Sequence, residues 1–152
     1  MLEKKIIAIS GSNSTGGAEI QLCNLLKEWK DYNITLVFFS NLGDLGTFEK
    51  FKSYKNISML ALSFGRPLDF ISKLQLVLNI INKSKVSILG WLAKGNILAL
   101  FLGLLNSKNT KIFCAHRSKF SLNQSNKSKL LLLTSLFLYR IYPKEIKHIV
   151  NS

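Results

Sequence analysis

Lys5-Ile6-Ile7-Ala8-Ile9-Ser10-Gly11-Ser12-Asn13-Ser14-Thr15-Gly16-Gly17-Ala18-Glu19 is the stretch whose reading decides the fold. Its first six residues form an apolar run of strand length that lacks the alternation of a half-exposed strand, which predicts a strand buried on both faces. Gly11 closes the run, and the polar loop to Gly17 lets the backbone turn tightly. Leu22, Leu25, Leu26 and Trp29 then recur on one helical face, predicting a helix over 18–30. Residues 34–39 are rich in β-formers and predict a second strand. Strand, glycine loop, helix, strand is the opening of a parallel α/β sheet.

The same alternation continues outward. Residues 41–56 are polar and irregular, with a short helix expected over 48–54. A third strand covers 57–62, and Pro67 opens a helix whose apolar stripe is Ile71, Leu74, Leu78 and Ile81. A fourth strand, 86–89, is closed by Gly90. Asn96 then caps an apolar helix over 97–105. Residues 111–115 predict a fifth strand, 118–128 a polar loop, and 129–142 a helix stopped by Pro143. A sixth strand begins at 148–150. The expected architecture is one domain over 1–152, a Rossmann-like, doubly wound parallel sheet.

Composition sets the class. Of 152 residues, 47% are hydrophobic and 19% charged, the balance of a globular chain. Cys23 and Cys114 have neither metal nor redox spacing and read as small buried hydrophobes. Met1-Leu2-Glu3-Lys4-Lys5 runs straight into a strand, without a signal-peptide pattern, which suggests a cytoplasmic location. The apolar runs 97–105 and 130–139 fall short of the roughly 20 residues of a membrane span and read as buried helices. Charge is uneven: 13 of the 21 Lys and Arg lie from Lys73 onward, where Glu145 is the single acid. Such a field suits anionic lipid headgroups, phosphates or nucleic acid, or reflects a lysine-rich solvated surface.

Ligands of open parallel sheets bind at the loops after the carboxyl ends of the strands, and three such loops stand out. In 11–17, Gly16 and Gly17 precede a helix N-terminus that favours an anion, although no dinucleotide or nucleoside-triphosphate fingerprint is present. In 90–96, Trp91, Lys94 and Asn96 bring a sugar-stacking ring, a phosphate-pairing cation and an amide together; Trp91 reads equally as a core residue and Lys94 as a solvated one. After the fifth strand, Arg117 suits a phosphate or carboxylate clamp, Ser118 follows it, and His116 is a candidate proton acceptor. No metal cluster or Ser-His-Asp set can be assembled.

Gly16-Gly17-Ala18-Glu19 with the Leu-rich helix behind it, the segment from Pro67-Leu68 to Trp91-Leu92-Ala93-Lys94-Gly95-Asn96, Cys114-Ala115-His116-Arg117-Ser118, and His148 to Ser152 resemble, in order, the N-terminal domain of family 4 glycosyltransferases of the GT-B fold. The resemblance implies an acceptor-binding, Rossmann-like half of an enzyme that transfers a hexose from a nucleotide sugar to a glycan or lipid-linked acceptor in polysaccharide biosynthesis. It places Gly16 and Gly17 opposite the donor diphosphate, and Trp91, Lys94, Asn96, Arg117 and Ser118 toward acceptor or phosphate. It implies no cofactor or metal beyond the nucleotide-sugar co-substrate, and a peripheral position on the inner membrane face. The paired glutamates that hold the donor in that family have no counterpart here, so the chain is expected to be inactive without a missing C-terminal domain or partner chain.

Two other readings compete. Residues 7–17 also resemble the opening of flavodoxin-like FMN reductases, although the Pro and aromatic loop of those proteins is missing. The basic second half would suit a nucleic-acid-binding module, but it carries no recognised fold signature.

Overall fold

The computed structural model describes residues 4–40, 44–63, 65–106, 108, 110–116, 126–142 and 145–150. Strands β1 (Lys5–Ser10), β2 (Asn33–Phe39), β3 (Ile57–Leu62), β4 (Val86–Trp91), β5 (Thr110–His116) and β6 (Lys147–Val150) form one sheet in the order β3-β2-β1-β4-β5-β6. Every pairing is parallel. Helices α1 (Gly17–Glu28), α2 (Pro67–Lys83), α3 (Leu92–Leu105) and α4 (Asn126–Ile141) connect them, with a 3₁₀ helix, Gly46–Ser53, between β2 and β3.

Alternate residues of each central strand face two separate cores, the reason these strands are apolar throughout. Ile6, Ala8, Leu36 and Phe38 pack under α1 and the 3₁₀ helix, through Leu22, Leu26, Phe48 and Phe51. Ile7, Ile9, Val37 and Ile88 pack on the other face under α2, α3 and α4. The sheet is therefore wound on both sides, as its sequence predicts. Both cysteines are fully buried.

Two elements depart from expectation. β4 runs on through Gly90 to Trp91, and α3 starts at Leu92 with no intervening loop, so Asn96 lies inside the helix and does not cap it. Glycine permits this: a Cβ on Gly90 would stand 2.7 Å from the Asn96 Cα. Asn96 is buried, and its Nδ2 donates to the Ala115 carbonyl of β5 (3.1 Å). The second departure is α4. It was expected to be buried, yet Leu130, Leu133, Leu136, Phe137 and Ile141 are exposed, because it packs on α3 through one side only. It also starts earlier than expected, at Asn126. The rest of the expected polar loop, 118–125, lies outside the described residues.

Candidate functional site

The strand order reverses between β1 and β4, whose carboxyl ends send the chain to opposite faces of the sheet. Such a reversal is where open α/β sheets place their ligands. The two ends are held tightly together here. The Gly11 amide donates to the Trp91 carbonyl (3.1 Å), extending the ladder by one step. A Cβ on Gly11 would stand 3.4 Å from the Cβ atoms of both Leu92 and Lys94. Gly95, in the first turn of α3, sits so close to the Ile9 carbonyl oxygen that no side chain fits between them. Gly11 and Gly95 thus serve the contact between β1 and α3.

The loop after β1 is ordered by its own polar groups. Ser10 Oγ donates to the Ser12 carbonyl (2.8 Å), Asn13 Nδ2 to the Asp44 carbonyl (2.8 Å), and the Thr47 amide to the Asn13 carbonyl (3.1 Å). Gly16 and Gly17 are exposed at the start of α1. Glu19, in the first helical turn, is only 3% exposed. It folds back so that its carboxylate accepts a hydrogen bond from Ser12 Oγ, with Oε2 2.7 Å from where a Gly16 Cβ would be. The chain's own carboxylate therefore sits at the helix N-terminus, where an incoming anion would gain most from the dipole. A diphosphate at Gly16 and Gly17 has to overcome that negative charge.

The other candidates separate clearly. Trp91 is 3% exposed, and its indole N–H donates to the Ala18 carbonyl of α1 (2.9 Å). Its ring belongs to the core beneath α1, so the structure gives it a packing role and offers no face for a sugar. Asn96 is buried; its Oδ1 has no hydrogen-bond partner among the described residues. Lys94 is exposed in the first turn of α3, at the same sheet edge as Gly16 and Gly17. β5 ends at that edge with His116, since Trp91 pairs with Ala115. Arg117 and Ser118 lie outside the described residues, and the His116 side chain is likewise not described.

One feature has no local trace in the sequence. Beside Lys94, a groove of about 420 Å³ opens between α2, α3 and α4. Phe39, Phe70, Phe101, Leu131 and Leu138 line it, with Lys94 of the first turn of α3 among the lining residues. Its walls are otherwise apolar save Thr134. The two cysteines offer no chemistry: burial pushes the Cys114 thiol up to about 11, despite the Tyr139 hydroxyl beside it, and burial raises Cys23 as well. A thiol held protonated is a poor nucleophile. Among the described residues no group of three His, Cys, Asp or Glu could hold a metal ion, and no helix is long and apolar enough to cross a membrane.

No protein-family model, curated protein or solved structure matches the chain.

Proposed function

We propose that this chain is the acceptor-side half of a GT-B glycosyltransferase resembling family 4, and that it holds a lipid-linked acceptor at an anionic membrane surface. The nucleotide sugar is bound by residues outside these 152, in a further domain or a partner chain. The observation that carries the reading is the apolar groove that has Lys94 among its lining residues, Lys94 itself standing in the first turn of α3 at the sheet edge where parallel α/β folds bind ligands. A hydrocarbon chain fits its walls, and the ammonium group pairs with the phosphate that such a chain carries. This arrangement favours a lipid-linked acceptor over a free glycan, whose hydroxyls would find no partners on those walls. Phosphate recognition rests on Lys94, since Glu19 sets a negative charge against the glycine loop. His116, ending β5 on the same edge, is the residue the reading puts forward to accept a proton from the acceptor hydroxyl.

Titration calorimetry of the purified chain with dodecyl phosphate below its micellar concentration tests this directly. Binding is expected, with inorganic phosphate failing to bind. Lys94→Ala should weaken dodecyl phosphate about tenfold, the equivalent of roughly 1.4 kcal/mol for one charge-assisted contact. Unchanged affinity in Lys94→Ala removes the site. Transfer of sugar by the 152-residue chain alone, from any nucleotide sugar, overturns the assignment of donor binding elsewhere.

A further inference from the structure

At the amino edge of the sheet, opposite the edge that holds Lys94, polar side chains stand where core residues are expected. Strands covered on both faces are ordinarily apolar throughout. Lys5, Thr35 and Ser58 alternate with residues of the core beneath α1, and so face α2 from the neighbouring strands β1, β2 and β3. Two adjoining cavities of about 420 Å³ each open there, against the C-terminal half of α2. Lys5, Thr35, Ser58 and Ile80 line both, Lys55 lines one and Lys83 the other. No carboxylate lines either.

The polar groups are left with hydrogens to donate. Thr35 is only 6% exposed. Ser58 Oγ donates to Thr35 Oγ1 (3.3 Å) and lies 3.4 Å from the Ile34 carbonyl, so the Thr35 hydroxyl proton has no acceptor among the described residues. Buried hydroxyls ordinarily find one. Lys55 and Lys83 are exposed, and among the described residues neither has a carboxylate within ion-pairing distance. Acids are not scarce in this part of the chain, since seven of the eight lie in its first 72 residues. They are used elsewhere: Glu19 on Ser12, Glu49 on Lys52 and Asp69 on Lys73.

We infer that the amino-edge cavities form a second ligand site, which takes a small soluble ligand carrying a chain of two or more phosphates. Ammonium groups and a hydroxyl donor are the chemistry that recognises phosphate oxygens. Several phosphates fit better than one, because the lysines are distributed along both cavities and β1 and β3 alone stand about 10 Å apart. The negative end of α2 also lies here, and Lys83 in its last turn offsets it. The site is about 20 Å, the length of a six-residue strand, from the carboxyl edge. It shares no lining residue with the apolar groove, so it stands or falls apart from the acceptor reading.

Calorimetry with sodium tripolyphosphate tests it, at physiological salt where diffuse attraction to a +13 chain is screened. Saturable binding is expected, with inorganic phosphate about tenfold weaker or more. Lys55→Gln/Lys83→Gln should weaken tripolyphosphate about tenfold. Lys30→Gln/Lys111→Gln removes the same charge from exposed positions outside the cavities; it and Lys94→Ala should leave affinity within about twofold. All five lysines are exposed, so circular dichroism and Tm without ligand should not move. ATP titrated in parallel separates the sources: tighter binding than tripolyphosphate points to a nucleotide, equal or weaker binding to a free phosphate chain. No saturable binding of either probe, equal losses in the two double variants, or loss in Lys94→Ala would each overturn the site.

Discussion

Leu92 is the one non-glycine residue among those described whose backbone lies in the left-handed region, at φ 65°. That conformation costs an ordinary L-residue about 1–2 kcal/mol. It is held because β4 passes into α3 without a loop, and because the half-buried Leu92 side chain packs against the core beneath α1. At ordinary helical positions Ala is more stable than Gly by up to about 1 kcal/mol. Here the order should invert: Leu92→Gly should exceed Leu92→Ala in urea-unfolding stability by about 1 kcal/mol, because only glycine adopts this conformation freely. The ordinary order would show that the residue is not left-handed in solution. Such strain gathers at ligand-binding edges, and Leu92 adjoins both Gly11 and Lys94.

Between elements, the close β1–α3 contact can be tested by contrast. Gly95→Ala drives a Cβ into the Ile9 carbonyl and to 3.3 Å from the Gly11 amide. Both obstacles are backbone, so α3 must shift, and denaturant unfolding should register a loss of roughly 2–3 kcal/mol. Gly16→Ala meets only the Glu19 Oε2, the end of a side chain that can swing away, and should cost less than about 1 kcal/mol. Equal losses would mean that the glycines serve the same purpose. This contact also explains what the sequence conceals. β1 was legible to the residue because a strand buried on both faces is written as an unbroken apolar run between polar loops, and β3, half-exposed at the sheet edge, because a short β-forming run stands between polar segments. The start of α3 was not: Asn after Gly is a common capping pattern, and what overrides it is contact with a strand far back in the chain. The exposure of α4 was equally hidden, since a helix apolar on every side has no periodicity to mark its outer face. Of the candidate site, the shared edge of Gly16, Gly17 and Lys94 followed from strand direction alone. The burial of Trp91 depended on a carbonyl in α1, and the groove on side chains from four separate elements.

For the molecule as a whole, burial of Cys114 and Tyr139 together between β5 and α4 sets a limit on alkaline stability. Burial raises the thiol from 9.0 to about 11 and also raises the Tyr139 phenol, with Cys114 adding to the shift. Each group holds its proton more firmly when folded; the thiol's contribution is fully present below pH 9 and is lost as pH climbs toward 11. The thiol's share of that loss approaches roughly 2–3 kcal/mol. Tm measured from pH 8 to 11 should fall accordingly, and Cys114→Ala should flatten the decline. An identical slope in that variant would assign the fall to other groups. Comparing the two proteins at each pH cancels the effect of the chain's overall charge, which both share. The tie from Trp91 to Ala18 has a practical sequel. The indole is rooted in the strand that feeds one helical layer and tethered to a helix of the other. With Trp29 replaced by Phe, its fluorescence is therefore a gauge of the sheet edge, blue while both layers stay seated and shifting red once α1 lifts away, with no dye attached.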